Sequence, residues 1–358
     1  MNEQLRSIPP ARSFPLHRDW SLSHILEFDS FPNLQRAWEQ SRAWLARIRN
    51  TLQSGEAWPG VETMYVVGSL GRMECVRGSD CDLVVVLRDD CSPGDATIAR
   101  GLDAVWERLE QIGVRRPKAN GIYANPTSVG ALWNPDSIGQ VDESIDVFGK
   151  RIQLILEGQP VYADDACQRL LQRMLKRYAG GPLPHPAVGS DDSKQWSYLL
   201  NDLIRYFRSL CVRTQWLRDP AEWTVVNTKL RHSRLLSYAA LLLLLGEASC
   251  RTGNKFEWLV ARMRMTPMER IAWVFGEHGA QRQCANIARC YDTFLATMDA
   301  GCLSLESAQR PTSIADGIAH EDFQKLKQNS TALIQELLQF ICDRRGDWKS
   351  RFFEFLVF

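Results

Sequence analysis

Two aspartates separated by one residue, Asp80 and Asp82, stand where a polar, glycine-rich segment leads into an apolar run. Side chains at positions i and i+2 of a β-strand share a face, so we expect the two carboxylates to lie side by side. Neighbouring ionised carboxylates repel each other unless one is protonated or a cation lies beside them. Mg²⁺ takes oxygen ligands, commonly one or two carboxylates with water and substrate phosphates. The spacing therefore predicts a Mg²⁺ or Mn²⁺ site in which Asp80 and Asp82 are both metal ligands and catalytic residues.

The segment before these aspartates has the residues of a phosphate-binding turn. Gly68 and Gly71 let the backbone approach a phosphate closely and direct its N–H groups outward. The predicted nucleotide-binding residues are Gly68, Ser69, Gly71, Arg72 and Ser79. A plain turn and a solvated strand edge are the competing interpretations of each motif alone. Their succession in one short segment favours phosphoryl or nucleotidyl transfer, which depends mainly on positioning and charge neutralisation.

The elements around this segment are predicted from the spacing of apolar residues. Helical spacing and β-rich runs indicate a helix, a strand, the glycine-bearing turn, a second strand and another helix. The predicted strands of this half span residues 63–67, 81–87, 121–124, 128–132 and 160–162. The predicted helices of this half span residues 34–52, 98–112 and 148–156, the last of them ended by Gly158.

The sequence beyond residue 193 has helical periodicity, without a strand pattern or a repeat of fixed period. Helices are predicted over residues 196–217, 223–245, 256–265, 268–275, 282–298 and 322–341. The expected fold class is α+β, with a small mixed sheet flanked by helices and followed by an all-helical bundle. The expected domains are an extended N-terminal arm over 1–30, a catalytic domain over 31–180 and a helical domain over 187–358.

The motifs Gly-Ser, Gly-Arg-x-Glu and Ser-Asp-x-Asp-Leu, at residues 68–69, 71–74 and 79–83, resemble the nucleotidyltransferase superfamily. That superfamily includes DNA polymerase β and kanamycin nucleotidyltransferase. Over residues 62–88 the sequence is most similar to the N-terminal domain of bacterial PII-protein uridylyltransferase and its poorly characterised relatives. A weaker similarity covers residues 201–208 and 229–234 of the helical half.

The resemblance implies a polymerase β-like nucleotidyltransferase domain in the first half of the chain. It implies that Asp80 and Asp82 bind the catalytic metals and that Gly68 and Ser69 hold the nucleotide phosphates. It also implies that Glu74 steadies Arg72.

One departure from the superfamily concerns the third carboxylate that many members carry on a later strand. The strand expected near residues 120–125 has no acid, and the nearest candidates are Asp142, Glu143 and Asp146. Slow catalysis, catalysis with two carboxylates and loss of catalysis are all open at this point.

Four cations outside the turn are candidate contacts for phosphate or for the acceptor. They are Arg77, Arg205, Lys229 and Arg234. The competing interpretation of the helical ones is a solvated basic face or salt-bridged contacts between helices.

The composition of the chain limits the classes of binding partner that we expect. The formal net charge of +1 gives no global field for nucleic acid or anionic membrane, so long nucleic acid is the less favoured acceptor. The apolar run 235–245 is too short to cross a bilayer and predicts a buried helix, so no membrane partner is expected. Ten cysteines lack metal-ligand spacing, and the prolines near the N-terminus interrupt any secretory signal. A cytoplasmic location is therefore expected.

The sequence thus predicts an enzyme that transfers a nucleoside monophosphate from an NTP to an unidentified acceptor, with release of pyrophosphate. The acceptor can be a protein side chain, as the uridylyltransferase resemblance implies, or an RNA end, a small molecule or a nucleotide. Two alternatives remain open. One is a nucleotide-binding sensor with little catalysis, and the other is a protein-interaction module in which the helical half is the functional part.

Overall fold

The computed structural model describes residues 28–54, 57–116, 121–134, 136–140, 142–179, 196–251, 255–301, 303 and 311–357. The predicted arm over 1–30 lies outside these residues, except for a short 3-10 helix at Phe28–Ser30. The expected boundary near 180–186 also lies outside them. The division into domains therefore stays a prediction.

One mixed sheet carries the aspartates of the first half. Its strands are β1 (Val61–Val67), β2 (Asp82–Leu87), β3 (Thr127–Ser128) and β4 (Gln159–Tyr162). Their order is β3-β2-β1-β4, with β2 and β4 antiparallel to β1 and β3 parallel to β2. The strands predicted at 63–67, 81–87 and 160–162 are confirmed to within two residues at each end.

Helices flank this sheet. They are α1 (Pro32–Gln53), the single turn α2 (Gly68–Gly71), α3 (Ala96–Gln111), α4 (Val129–Trp133), α5 (Ile145–Glu157) and α6 (Asp164–Ala179). The three predicted helices correspond to α1, α3 and α5, and the α+β fold class is confirmed.

Two strand predictions were wrong, and the helices α4 and α6 were not predicted. Residues 121–124 form a turn, and only Ser128 of the segment 128–132 is in a strand. The hydroxyl of Ser128 accepts the Ala131 N–H at 3.2 Å and begins α4, which β-rich composition alone could not reveal. The helix α6 buries Leu170, Met174 and other apolar residues at helical spacing, a signal that the sequence did contain.

All regular secondary structure among the described residues of the second half is helical. Its helices are α7 (Ser197–Gln215), α8 (Pro220–Lys229), α9 (Leu235–Cys250), α10 (Lys255–Arg262), α11 (Pro267–Glu277), α12 (Gln281–Asp299), α13 (Ile314–Ala319), α14 (Glu321–Asp343) and α15 (Ser350–Val357). The six predicted helices are confirmed, whereas α13 and α15 were not predicted. One π-helical turn, Leu230–Arg234, joins α8 and α9 into a continuous helix.

The continuous helix Pro220–Cys250 is 31 residues long and, among the described residues, is the one with the length and apolar composition of a membrane span. However, 78% of its most apolar window is buried inside the protein. The predicted buried helix over 235–245 is thus the centre of the helical core.

The two halves share one hydrophobic core and several polar contacts. Asp292 of α12 accepts the backbone N–H groups of Asn33 and Leu34 at 2.8 Å each and so caps the start of α1. The buried Arg270 donates to the backbone oxygen of Ile155 in α5 at 3.0 Å. Elements of the sheet half are therefore held in place by the helical half.

The contact between Gly246 and Trp348 tests the packing of the helical core. A Cβ added at Gly246 would lie 2.6 Å from three ring atoms of Trp348, whereas one at Gly346 meets nothing within 4 Å. We expect Gly246→Val to lower the free energy of unfolding by about 2 kcal/mol through overpacking. Urea denaturation measures this, and Gly346→Val is the matched control, expected within about 0.5 kcal/mol of wild type. Equal effects of the two substitutions would contradict the packing described here.

Candidate active site

Asp82 is the first residue of β2 and lies directly against the glycine turn. It pairs across the sheet with Val67, the residue before Gly68. Gly68 has a φ of +70°, and a Cβ there would stand 2.1 Å from the Oδ2 atom of Asp82. Glycine is therefore required both by the backbone conformation and by the close approach of the carboxylate.

Asp80 precedes the strand, two residues before Asp82. Asp80 is exposed and Asp82 is half-buried, whereas Cys81 between them is buried with 6% of its surface exposed. This alternation is the one expected of an extended segment with both aspartates on the solvent side.

The pKa of Asp82 reflects both its burial and the charges around it. Burial, together with the nearby negative charge of Asp80, raises the pKa of Asp82 from 3.8 to about 6. The positive charges of Arg234 and Arg72 act in the opposite direction without cancelling the effect. Removing Asp82 from water is costly unless a cation compensates, which is the property expected of a metal-binding carboxylate.

A buried carboxylate that the sequence did not identify, Glu157, holds the glycine turn in place. Its Oε1 atom accepts the Gly68 N–H at 3.0 Å and the Arg72 Nη1–H at 2.9 Å, and its Oε2 accepts the Ser237 hydroxyl at 3.2 Å. The Gly68 N–H was expected to face phosphate, but it is already donated to Glu157. A signal for Glu157 was its place directly after the apolar run 154–156 at the end of α5.

Arg72 and Gly71 also fix the turn. Only 5% of the surface of Arg72 is exposed, and its Nε donates to Glu74 at 2.7 Å, the pairing that the family resemblance implied. Glu74 in turn accepts a hydrogen bond from the Tyr291 hydroxyl of the helical half. A Cβ at Gly71 would lie 2.6 Å from the backbone oxygen of Glu157, so this glycine permits close packing.

The remaining residues of the predicted turn have separate positions. Ser69 is half-buried, and its backbone oxygen accepts the Glu74 N–H at 2.8 Å. The hydroxyl of Ser79 accepts the Val76 N–H at 3.0 Å and closes the loop before Asp80. Arg77 is exposed, and its backbone N–H is bound by Asp299 at 2.9 Å.

The three candidate third acids lie in other surroundings. Glu143 is paired with Arg151, and hydrogen bonds from Arg151 hold the pKa of Glu143 below its usual value despite burial. Asp142 is exposed, and Asp146 is half-buried in the first turn of α5, where its charge acts on Lys150. Besides Asp80, the acid whose charge raises the pKa of Asp82 is Glu157.

The candidate cations of the helical half divide into two groups. Arg205 is bound to Glu143 at 2.9 Å and lies 4.0 Å above the ring of Phe148. Lys229 and Arg234 are instead electrostatic neighbours of the aspartates, Lys229 of Asp80 and Arg234 of Asp82. Burial lowers the pKa of Lys229, and the positive charges of Arg234 and Arg72 act in the same direction.

An aromatic residue that the sequence analysis did not single out, Tyr123, is also an electrostatic neighbour of Asp82. Burial, followed by the charge of Asp82, raises the pKa of the Tyr123 hydroxyl well above its usual value. The hydroxyl donates to the Oε1 atom of Gln153 at 2.7 Å. Tyr123 lies in the turn that had been predicted as a strand, so its direction could not be deduced from alternation.

The donor set fits a magnesium ion bound by two carboxylates. Asp80 and Asp82 offer hard oxygen ligands, and in the described part of the chain neither is neutralised by a salt bridge. No group of three or more His, Cys, Asp or Glu side chains suited to a metal occurs among the described residues. The remaining ligands would then be water and substrate oxygens, the usual arrangement for Mg²⁺ at phosphate sites.

A glycine turn set against paired aspartates on a small mixed sheet is the arrangement of a nucleotidyl-transfer domain. Residues 33–133 match the family model described as "Putative nucleotidyltransferase DUF294". The matched segment runs from the first turn of α1 to the end of α4 and includes the turn, Asp80 and Asp82. At the level of this family the function is nucleotidyl transfer. A comparison with curated proteins found no match.

The raised pKa of Asp82 predicts a pH dependence of stability in metal-free protein. The folded state binds the Asp82 proton more tightly than the unfolded chain, so this residue's contribution to stability falls as pH rises from about 4 to about 6. We expect the free energy of unfolding of wild type, relative to Asp82→Asn, to fall by about 2 kcal/mol across this window. Urea denaturation after removal of divalent ions measures it, and parallel profiles for the two proteins would refute it.

The buried carboxylate Glu157 predicts a second stability effect. Glu157→Ala leaves Arg72 buried beside a weaker set of partners, and we expect the free energy of unfolding to fall by about 3–5 kcal/mol. The control is Glu62→Ala, which removes a half-exposed pair with Arg169 at 3.6 Å and should cost less than about 1 kcal/mol. Similar losses for both variants, measured by urea denaturation, would show that Glu157 has no special role.

Proposed function

We propose that this protein is a metal-dependent nucleotidyltransferase that transfers a nucleoside monophosphate from an NTP to an acceptor hydroxyl. The observation that carries this proposal is the desolvated carboxylate of Asp82, held beside Asp80 and against the glycine turn. The family match over residues 33–133 supports the same reaction class.

The reaction is a displacement at the α-phosphorus. The acceptor oxygen forms a bond to that phosphorus while the bond to the bridging oxygen breaks, and the electron pair leaves with pyrophosphate. The acceptor proton passes to solvent. Mg²⁺ or Mn²⁺ bound at this site would supply positive charge to the attacking and leaving oxygens.

The residues of the chain have complementary tasks in this proposal. Asp80 and Asp82 hold the cation, and the absence of a side chain at Gly68 leaves their oxygens accessible. Ser69, half-buried in the turn, donates its hydroxyl to a phosphate oxygen. Glu157 cannot act as a general base without releasing the Gly68 N–H and Arg72, so we assign it to positioning.

The acceptor stays open among a protein side chain, an RNA end, a small molecule and a nucleotide. The near-neutral net charge of +1 disfavours long nucleic acid, which requires an extended basic surface. We further propose a cytoplasmic location, since 78% of the most apolar window of the helix Pro220–Cys250 is buried inside the protein.

The alternative function is a nucleotide sensor that binds NTP without turning it over. It is favoured by one observation, namely that no third carboxylate joins Asp80 and Asp82 among the described residues. In this alternative the same two aspartates bind metal and nucleotide, but the acceptor is not activated.

Pyrophosphate release from ATP, UTP, GTP and CTP tests the proposed function. With Mg²⁺ or Mn²⁺, we expect release from at least one NTP, with water or the protein itself as the default acceptor. Asp80→Asn and Asp82→Asn should each reduce the rate at least about 100-fold, because metal-borne charge stabilisation amounts to several kcal/mol. The control is Asp90→Asn, which alters an exposed aspartate that is paired with Arg88 at 3.5 Å and accepts from the Cys91 thiol at 3.4 Å.

The sensor alternative gives a different result in the same samples. Metal-dependent nucleotide binding without pyrophosphate release from any of the four NTPs would reject the enzyme and support the sensor. Release that is equal in wild type and both aspartate variants would reject this site as the catalytic centre.

A further inference from the structure

The long helix Pro220–Cys250 contains one π-helical turn, Leu230–Arg234, whose last residue lies 4.0 Å from Glu157. In a π-helix the backbone hydrogen bonds join residues five apart, and such turns often occur at functional sites. Lys229 immediately precedes this turn and Arg234 ends it, so the two are five residues apart. The wider turn therefore aligns their side chains on one face, whereas an α-helix of 3.6 residues per turn would separate them.

The residues inside the turn are fixed by contacts on other faces of the helix. The His232 ring hydrogen-bonds through Nδ1 to the backbone oxygen of Thr228 at 2.9 Å and through Nε2 to Asn329 at 3.0 Å. It also stacks on Phe294 with centroids 4.6 Å apart. Arg231 donates from Nε to Asn227 at 2.8 Å. These contacts hold the turn in place, while Arg234 extends to within 4.0 Å of Glu157 and Lys229 is solvent-exposed.

The charges of Lys229 and Arg234 are incompletely compensated within the protein. Arg234 reaches Glu157 only at 4.0 Å, and that carboxylate is already bound by Arg72 at 2.9 Å. Lys229 has no salt bridge in the described part of the chain. The two side chains also repel each other and Arg72. Cations held close together beside a phosphate site call for an anionic ligand.

We propose that Lys229 and Arg234 form a clamp for the β- and γ-phosphates of the substrate, so that the site selects nucleoside triphosphates over monophosphates. The clamp rests on the proposed function and adds the helical half to the substrate site. The clamp includes two of the four candidate cations. The other two have different partners, since Arg205 is bound to Glu143 and the backbone N–H of Arg77 is bound to Asp299. The phosphates bound by the clamp are those that leave as pyrophosphate, whose developing charge the two cations neutralise.

Binding of inorganic tripolyphosphate tests the clamp without any reaction. The first arm uses the full chain carrying Asp80→Asn and Asp82→Asn, without divalent metal, and calorimetry as the readout. We expect this protein to bind tripolyphosphate, and we expect added Lys229→Met and Arg234→Met to weaken binding at least about 10-fold. Each charged hydrogen bond to an anion contributes about 1.5–3 kcal/mol, so the loss is measurable. Unchanged affinity in that variant would overturn the clamp.

The second arm uses the native aspartates with Mg²⁺ and compares each NTP with its monophosphate. Lys229→Met and Arg234→Met should weaken NTP binding far more than monophosphate binding, whereas equal losses would overturn the selectivity. Arg231→Met is the matched control, since it removes a cation of the same turn that faces Asn227. Arg234→Lys keeps the charge and should retain most of the affinity. If Arg234→Met does not fold, the exposed Lys229→Met decides the outcome alone.

Together with the pyrophosphate assay, the two arms distinguish a failure of the clamp from a failure of the proposed transferase. Tripolyphosphate binding that depends on Lys229 and Arg234, in a protein that releases no pyrophosphate, would support the clamp and reject the transferase. Pyrophosphate release that depends on Asp80 and Asp82 but not on the two cations would support the transferase and overturn the clamp.

Discussion

The structure depends on one buried negative charge, the carboxylate of Glu157 at the end of α5. It receives the backbone N–H of Gly68, the guanidinium of Arg72 and the hydroxyl of Ser237. A buried ion is tolerated only when such partners surround it, so all three must keep their positions together. The carboxylate therefore joins the glycine turn, the last turn of α5 and the core helix α9 into one rigid unit against which Asp82 is placed.

The same interaction connects the helical half to the candidate site. Tyr291 of α12 donates to Glu74, which binds Arg72, and Arg234 lies at the edge of the same charge cluster. The sheet half supplies the two aspartates. The helical half supplies residues that hold the glycine turn in place, and it supplies the cations Lys229 and Arg234. A nucleotide bound at Asp80 and Asp82 would therefore contact residues far apart in sequence.

The sequence allowed the local chemistry to be predicted, but not the tertiary partners. Alternation around Cys81 and the glycine turn are local properties, and they predicted the strand–turn–strand unit correctly. Glu157 was missed because the search for a third acid followed the strands, whereas this acid ends a helix. The π turn at Leu230–Arg234 has no sequence signature of its own, because contacts of His232 with distant helices hold it. Tyr123 was assigned to a strand because its segment has no strong period.

The cap that Asp292 provides to the first turn of α1 bears on biosynthesis. Asp292 follows Asn33 by 259 residues, so a ribosome has made most of the chain before this cap can form. Until then the start of the first helix keeps its donors in water and its apolar face lacks α12. The amino-terminal portion therefore leaves the ribosome before the residue that caps its first helix has been made.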